Sequence, residues 1–469
     1  MFICQEKYEA SVLLEVPKMP TDTAKQILHS WLKSSRRLLQ SEQQKIVLEA
    51  FEKYPLPLYL KLSFDEASRW KSYTSPNDTK LAPTIKGIIH DLLDRVERLH
   101  GKVLVSQALA YITASRNGLT EPELEDILSL DDTVLNNVYQ YWTPPIRQLP
   151  PLLWIRIRSD IGDYLIERGA DGARVINWYH RQFIEAARER YLGNGQAVGI
   201  HANMSDYFRG KWAGGAKKSF VDKTGKEMSM DRLVPKQPLK FDVNEEKPIF
   251  NRRMLSELPH NLLLSHQVEM LKEKTLCNFE FLLAKVQASS VEALQQDLNA
   301  ALALHPDDRE FDLLNKCLSL SVLSLRQDPR QLSVQLIGRL YKRMKKKEFP
   351  FLGKMLEAAH NPSVAAFIPS QQCLTPAGGS LINSLSYEEL HGGIEYVNFT
   401  SDSKTVVTCN RGSEGLCLLY LDIKTGRRQR KVCFDESSTD VNSCWRTVIS
   451  PKNDDVFSCI GFVGKHVPH

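Results

Sequence analysis

His180 is the side chain whose position most favours chemistry in this sequence of 469 residues. It follows the apolar, β-rich run VINWY (175–179) and directly precedes a segment with helical periodicity. An imidazole at such a place could donate a hydrogen bond to a terminal phosphate oxygen of a diphosphate. The alternative is a half-buried histidine that its own neighbours satisfy, and the residues alone leave both open. Arg181 beside it is interpreted as a surface residue.

The sequence contains no phosphate-binding loop of the P-loop type. That motif needs Gly, four residues, Gly-Lys and then Ser or Thr. Gly-Lys occurs at five places, but the residue five positions before the Gly is never Gly, and no such Lys precedes Ser or Thr. An apolar strand ending in paired acids that could hold magnesium is also missing. We therefore predict that the chain is not an enzyme and cannot cleave a nucleotide in the P-loop manner.

Other catalytic and metal-binding patterns are equally absent from the sequence. There is no GxSxG and no HExxH, and the nine cysteines form no CxxC pair. We predict no catalytic residue, no metal site and no cofactor held by the chain itself. The start, MFICQEKYEA, lacks the features of a signal peptide, and no apolar run is long enough to span a membrane. A cytoplasmic protein with free thiols is expected.

A winged helix is the element predicted to position His180. Asp171 and Gly172 separate two β-rich runs and suit a tight turn with positive φ. Thr120 and Glu123 have the spacing of a capping box. Helices are predicted at 101–114, 121–130 and about 152–162. Three helices followed by a hairpin form the winged-helix pattern, which either reads DNA or closes over a nucleotide in signalling ATPases.

The distribution of charge disfavours DNA reading. A DNA-reading helix needs basic residues, and segment 152–160 offers Arg156 and Arg158, but the neighbouring helix is strongly acidic. Basic residues concentrate instead in 209–253, with twelve Lys or Arg against six Asp or Glu, a net +6 in a chain of net +5. We interpret this stretch as a solvated loop insertion. A contact with acidic protein or RNA is the alternative.

The distribution of helical periodicity and β-rich runs along the sequence predicts a mainly α protein with a winged helix (α+β) and a partial C-terminal β-propeller of the WD-repeat type. Residues 394–433 hold four short β-rich runs in about 40 residues, the period of one propeller blade. The predicted parts are the end of an α/β core (1–16), a helical lid (17–100), the winged helix (101–192), a helix end with the basic insertion (193–250), a helical array (251–368) and about one and a half blades (381–469).

Five long segments resemble the family of NACHT and WD-repeat domain proteins, which are STAND-class signal-transducing ATPases. These segments are YPLPLYLKLSFDEASRW (54–70), 81–132, VINWYHRQFIEAARERYL (175–192), ELPHNLL (257–263) and LCNFEFLLAKVQAS (276–289). The resemblance implies an order of parts: NACHT ATPase, helical lid, winged helix, helical repeats and WD-repeat propellers. The chain is then expected to begin after the ATPase core sheet, without the P-loop, and to end within the first propeller.

The resemblance also implies nucleotide-sensing residues. His180 falls where such proteins place the winged-helix histidine that touches the ADP β-phosphate. Pro55 and Pro57 match a proline motif in the lid that contacts the adenine side of the nucleotide. ATP or ADP would therefore be bound only together with a NACHT core.

The WD-repeat signature is incomplete in this sequence. Asp422 stands at the Asp of the WD dipeptide, with Leu421 in place of Trp, and the Gly-His signature is reduced to His391 followed by two glycines. One blade and part of another cannot close a ring and would leave exposed strand edges. Either the sequence is truncated or another chain completes the fold.

The function predicted from the sequence is a non-catalytic regulatory and scaffolding segment of a STAND-type switch. It would bind other proteins through the array and propeller, could self-associate, and would sense the nucleotide state in the intact architecture. No membrane partner is expected. Two alternatives stay open: an ATP-hydrolysing switch enzyme if a P-loop lies upstream of Met1, and a nucleic-acid binder through 209–253.

Overall fold

The computed structural model describes residues 17–74, 79–193, 195–222, 224–241, 248–343, 348–379, 394–412, 415–423, 428–434, 443–449 and 456–462. These residues divide into two compact units. The first contains the described residues up to Asp308 together with 348–358, and the second contains 309–343 and the described residues from 359 onward. Helices form most of the first unit, as the sequence predicts.

Four helices precede the winged helix: α1 (Thr21–Ser34), α2 (Ser41–Lys53), α3 (Pro57–Ala67) and α4 (Ile85–His100). Helix α3 begins at a proline, which suits a first turn because the proline lacks only an N–H that would be unpaired there. In α4 the apolar stripe predicted from 3.6-residue spacing is buried. Thr84 caps α4, since its side chain accepts a hydrogen bond from the Gly87 N–H.

The winged helix has three main helices, α5 (Lys102–Ala114), α6 (Glu121–Leu130) and α8 (Pro151–Ile161), and a short helix that the sequence analysis did not predict, α7 (Asp132–Val138). The predicted capping box starts α6. Thr120 Oγ1 accepts from the Glu123 N–H at 3.2 Å, and Glu123 Oε2 accepts from the Thr120 N–H at 2.9 Å. Two orphan donors of the first turn are thereby satisfied.

The predicted wing is the antiparallel hairpin β1 (Leu165–Ala170) and β2 (Ala173–Trp178). Its turn residues have φ of 51° at Asp171 and 76° at Gly172, which confirms the prediction of a turn with positive φ. Strand β2 is also bridged on its other side to Leu119, so β1 is the outer strand of this small sheet.

Residues 209–253 contradict the prediction of a solvated loop insertion. After α9 (Arg181–Tyr191) and α10 (Gln196–Phe208), they contain the hairpins β3 (Lys217–Val221) with β4 (Glu227–Asp231) and β5 (Lys240–Phe241) with β6 (Ile249–Phe250). Lys218 of the first hairpin binds Asp132 of α7, and the side chain of Arg232 is fully buried. Lys218 and Arg232 are thus held by an acidic residue of the winged helix, whereas Lys217, Lys226 and Lys236 are exposed.

The remaining helices of the first unit continue the helical periodicity seen in the sequence: α11 (Arg252–Leu264), α12 (Val268–Leu271) with a π turn at Lys272–Leu276, α13 (Phe279–Ala288) and α14 (Val291–Leu304). The second unit begins with α15 (Arg309–Ser319), α16 (Val322–Gln327) and α17 (Leu332–Leu340). Helix α18 (Pro350–Ala359) lies at the boundary, and its residues up to 358 belong to the first unit.

The described C-terminal strands form a small sheet and a hairpin, and within these residues no propeller is shown. In the described residues β7 (Ile394–Phe399), β8 (Thr405–Gly412), β9 (Gly415–Asp422) and β10 (Arg428–Phe434) form an antiparallel sheet in the order β10-β9-β8-β7. Strands β11 (Ser443–Ile449) and β12 (Val456–Phe462) pair separately. The four predicted runs are strands, but the described strands do not close a ring.

Among the described cysteines, the prediction of thiols without disulfides is right for four and wrong for Cys417. Cys277, Cys317, Cys373 and Cys409 form no disulfide. Cys417 is disulfide-bonded. The pairing of β9 with β10 places Cys417 opposite Cys433 in the sheet, a proximity that spacing along the sequence does not reveal.

Candidate functional site

His180 lies between β2 and α9 and is the N-cap of that helix. Its Nδ1 accepts a hydrogen bond from the Gln182 N–H at 3.2 Å. A neutral imidazole that accepts through Nδ1 carries its proton on Nε2, so Nε2–H remains as a donor on the far side of the ring. The side chain is partly exposed. The first turn of α9 adds the positive end of a helix dipole at the same place, which favours an anionic ligand.

Stacked aromatic rings hold the start of α9 in place. The ring of Phe183 stacks between Tyr164, at 4.6 Å between centroids, and Trp178, at 5.6 Å. Trp178 Nε1–H donates to Thr113 Oγ1 at 2.9 Å inside the winged helix. Because both rings belong to the wing and its base, the position of His180 is determined by the folded hairpin.

Pro55 and Pro57 lie on a different element from His180. Pro57 is the exposed first residue of α3, and Pro55, just before the helix, is partly buried. The other end of α3 contacts the wing, since Tyr164 Oη donates to Asp65. Asp65 lies eight positions after Pro57 along the helix, a rise of about 12 Å. Within the described residues no hydrogen bond joins α3 to His180, and α3 meets the base of the wing through Tyr164 and through Lys61, which donates to Asp163 at 3.1 Å.

A cleft of about 720 Å³ lies between α3 and α4, with Tyr164 on its wall. Its charged lining contains five carboxylates and four cations: Asp65, Glu66, Asp91, Asp94, Glu97, Lys80, Arg95, Arg98 and Lys102. Burial, together with the neighbouring Asp94 and Glu66, raises the pKa of Asp91. Burial lowers the pKa of Arg95, and the nearby Arg69 adds to this. Since the charges nearly balance, the cleft suits a polar ligand with both donors and acceptors.

Ion pairs fix helix α4 of the lid to the winged helix. His100 Nε2 lies 2.6 Å from Asp160 Oδ2 at the end of α8. Arg190 of α9 donates to Glu97 at 2.9 Å, and the neighbouring Tyr191 Oη donates to the same carboxylate at 2.7 Å. A buried, charge-assisted bond of this kind is stronger than an exposed ion pair.

A buried arginine joins the wing to the helical array on the opposite side. Arg253 of α11 donates to Glu123 at 2.9 Å, to the Gly118 carbonyl at 2.7 Å and to Asp171 of the wing turn at 3.2 Å. Glu257, one turn further along α11, lies 3.4 Å from the same guanidinium. Burial raises the pKa of Glu257, and the charge of Arg253 opposes this.

A second buried set of charges continues this contact. Asp297 of α14 accepts from Arg116 at 2.5 Å and also binds Lys285 of α13. The backbone N–H groups of Arg116 and Asn117 donate to Glu257 at 3.1 and 3.2 Å. Sequence analysis missed both sets, because partners such as 123 and 253 are 130 positions apart and no local pattern connects them.

Of the two propeller-motif residues predicted from the sequence, the structure describes only Asp422. His391 lies outside the described residues. Asp422 ends β9 opposite Thr405, and Gln429 Nε2–H donates to its Oδ2 at 3.4 Å. The residues that the structure describes contain no cluster of His, Cys, Asp or Glu that could hold a metal ion.

The helix that reads DNA in other winged helices is not arranged for that purpose here. Arg158 of α8 binds Glu121 and Glu167, so its charge is neutralised inside the domain. Leu152 and Ile155 on the outer face of α8 are 55% and 54% exposed. Exposed aliphatic side chains and a neutralised arginine on this helix do not provide the phosphate contacts that DNA reading needs.

In the described part of the chain, no helix combines the length and the apolar character that a membrane span needs.

Comparisons with known proteins agree with this architecture. A family model for an NWD1-like, winged helix-turn-helix domain matches residues 77–199. NACHT domain- and WD repeat-containing protein 1 of Homo sapiens is 35% identical over 405 residues, which cover 84% of this chain and 25% of the relative. Its Mus musculus counterpart is 32% identical over 427 residues, or 89% of this chain and 26% of the relative. NACHT and WD repeat domain-containing protein 2 of Mus musculus is 30% identical over 342 residues, 67% of this chain and 20% of the relative. The chain thus spans about a quarter of the length of the first two relatives.

Proposed function

This chain contains an NWD1-like winged helix domain and is related along most of its length to the NACHT domain- and WD repeat-containing proteins, and we propose that it is a non-catalytic regulatory segment of a STAND-type signalling protein. Its winged helix senses the nucleotide that a NACHT core holds. ADP favours the state in which the winged helix is closed onto that core, and exchange for ATP releases it.

The geometry of His180 is the observation that supports this proposal most. A fixed imidazole with a free Nε2–H, at the first turn of α9, fits a phosphate oxygen as acceptor. The rings of Tyr164 and Trp178 pack on Phe183 and so hold the first turn of α9, while the bond from the Gln182 N–H orients the imidazole before a ligand binds. For Pro55 and Pro57, a contact with the adenine side of the nucleotide is proposed only on the basis of the family pattern.

The proposal includes protein contacts for the rest of the chain. Helices α11 to α14 would bind partner proteins, and strands β7 to β12 would belong to a WD-repeat propeller whose other blades complete the ring. The order β10-β9-β8-β7 of an antiparallel sheet supports this reading, because a blade has four such strands. The location proposed for this function is the cytoplasm.

Two other functions receive less support. An ATP-hydrolysing enzyme needs a P-loop, which the sequence of this chain lacks; phosphate release from ATP by the purified chain would favour this alternative. Nucleic-acid binding through 209–253 is disfavoured because Lys218, Arg232 and Arg253 are occupied by internal carboxylates. Steeply salt-dependent binding of RNA or DNA by the purified chain would support this second alternative.

The experiment that tests nucleotide sensing compares two substitutions of His180 in a protein that joins this segment to a NACHT ATPase core. His180→Asn keeps an N-cap side chain for α9 but removes the distal donor. Losing a hydrogen bond to a charged phosphate costs about 1.5–3 kcal/mol, so ADP should dissociate about 10–100 times faster. The measurement is the release rate of a fluorescent ADP analogue.

The controls separate sensing from folding. His180→Ala also loses the cap, so it should lower the free energy of unfolding by about 1 kcal/mol more than His180→Asn. Arg181→Ala removes a neighbouring side chain that is 87% exposed and should leave ADP release unchanged. An unchanged release rate in His180→Asn, with the fold intact, would contradict the proposal.

A further inference from the structure

Among the described residues, strand β1 of the wing has no partner on its outer edge. The N–H and C=O of Ile176 both bond Leu119, at 2.7 and 3.2 Å, and therefore point away from β1. Residues directly opposite one another in an antiparallel pair alternate between bonded and non-bonded pairs. Glu167, opposite Ile176, and Gly169, opposite Arg174, therefore direct their N–H and C=O groups outward. Strand β1 thus offers the hydrogen-bonding pattern of an open edge.

An apolar groove of about 370 Å³ runs beside this edge, between β1 and α8. Ile155, Leu165, Ile166 and Ile176 line it together with Ser159 and the ion pair of Arg158 with Glu167. Ile155 and Ile166 are 54% and 42% exposed. Exposed aliphatic side chains beside an open strand edge are typical of a binding surface.

Positive charge surrounds the groove. Arg158 is neutralised by Glu121 and Glu167, whereas Arg156, Arg168 and Arg174 are exposed. The side chain of Arg174 is 88% exposed and lies 4.0 Å from Glu167, a distance that gives little binding in water. Arg156 on α8, Arg168 on β1 and Arg174 on β2 are therefore the exposed cations that remain, and they favour a negatively charged occupant.

We propose that β1 binds an acidic extended segment of a partner protein, which adds to the wing as a further strand and places alternate aliphatic side chains in the groove. The backbone of Glu167 and Gly169 gives affinity, the groove selects aliphatic residues at every second position, and the arginines select acidic residues between them. This contact is independent of nucleotide sensing, since it uses β1 and α8 and not His180.

Gly169 offers a test that leaves the fold intact. A Cβ at this position meets no atom within 4 Å. Gly169→Pro removes one outward N–H and places a ring on the open edge, where proline is tolerated in strands. Gly169→Ala retains the N–H and serves as the matched control. The probe is a fluorescein-labelled octapeptide that alternates Glu with Val or Ile, measured by fluorescence anisotropy with the full chain.

The expected result is saturable binding that weakens at least about tenfold in Gly169→Pro and stays unchanged in Gly169→Ala. In the double variant Arg156→Glu with Arg174→Glu, preference should switch to the matching octapeptide with Lys in place of Glu. Absence of binding, equal binding of both peptides, or equal binding by Gly169→Pro overturns the proposal. So does competition by a 20-base-pair DNA duplex, or a dimer of this chain that Gly169→Pro dissolves.

Discussion

His201 and His260 meet edge to face between α10 and α11, with 5.7 Å between ring centroids. Asn261 Oδ1 lies 2.8 Å from Nδ1 of His201, and His260 Nε2 lies 3.2 Å from the Ala114 carbonyl. Burial lowers the pKa of His260 to about 4, and the neighbouring His201 adds to this. Burial also lowers the pKa of His201. Two imidazoles in contact are thus kept neutral at the junction of the winged helix and the array.

This pair predicts a pH dependence of stability. Between pH 6.5 and about 4 the unfolded chain binds more protons than the folded chain, because the folded pKa of His260 is the lower one. The free energy of unfolding therefore falls as the pH drops through this interval, by up to about 3 kcal/mol for His260. His260→Gln, whose amide can still donate to Ala114, should flatten the slope in urea unfolding at several pH values.

Charged groups also lie near the His201–His260 pair, so the experiment needs a control variant. Arg116 and Asp297 lie near His260, and Arg188 lies near His201. Carboxylates elsewhere also titrate in this interval, so the difference between variants is the relevant quantity. His29→Gln, on the exposed face of α1, should not change the slope. An equal slope in His260→Gln and the unmodified chain would contradict the buried neutral pair.

At the scale of elements, the hairpin β3–β4 shows how a basic segment becomes ordered. Asp132 of α7 binds Lys218 and Arg232 and lies 3.4 Å from Arg147, while the ring of Phe220 lies 3.8 Å from the Arg147 guanidinium. Burial alone would raise the pKa of Asp132, but the hydrogen bonds from Lys218 and Arg232 lower it. One carboxylate therefore balances several buried cations.

Asp132→Asn is predicted to destabilise the protein by about 3 kcal/mol, because it leaves buried cations without a counter-charge. The loss should be largest at neutral pH and should shrink only as the pH falls through the lowered pKa of Asp132, below its usual value of 3.8, where the carboxylate of the unmodified chain is protonated as well. Differential scanning calorimetry measures it. Glu227→Gln on the exposed side of β4 is the control and should change stability by less than about 0.5 kcal/mol. Equal stability of both variants would show that the hairpin is not held by Asp132.

The elements themselves were largely predictable, and the contacts between them were not. The wing followed from Asp171-Gly172 between β-rich runs, and α6 from the capping box at Thr120, because both signals are local in sequence. Helix α7 was missed since its seven residues give too few apolar positions for a period. The docking of 209–253 was missed because its pairing with Asp132 joins residues 86 or more positions apart.

The candidate site divides in the same way. The place of His180 between strand and helix could be predicted from the sequence, but its free Nε2–H depends on the Gln182 N–H that occupies Nδ1. Pro55 and Pro57 came from a family pattern, and the structure connects their helix to the wing through Tyr164. That connection needs the folded wing, which brings residue 164 to Asp65.

At the scale of the first unit, the winged helix is held on two sides. Contacts of His100 and Arg190 bind it to α4, and Arg253 binds its turn to α11. Buried charges without partners are costly, so these contacts break only when the surrounding elements open together. We propose that a winged helix fixed in this way transmits a change at His180 to the helical array. The regulatory role proposed for this segment depends on such mechanical coupling.

Native-state hydrogen exchange of the purified chain tests this claim most directly. The slowest amides of α4, α5 and α11 are predicted to share one free energy of opening. Arg253→Met should lower all three values by the same amount, about 3–5 kcal/mol, whereas Arg252→Met, at the exposed neighbour, should change none. Three different free energies, or a loss confined to α11 in Arg253→Met, would contradict the coupling.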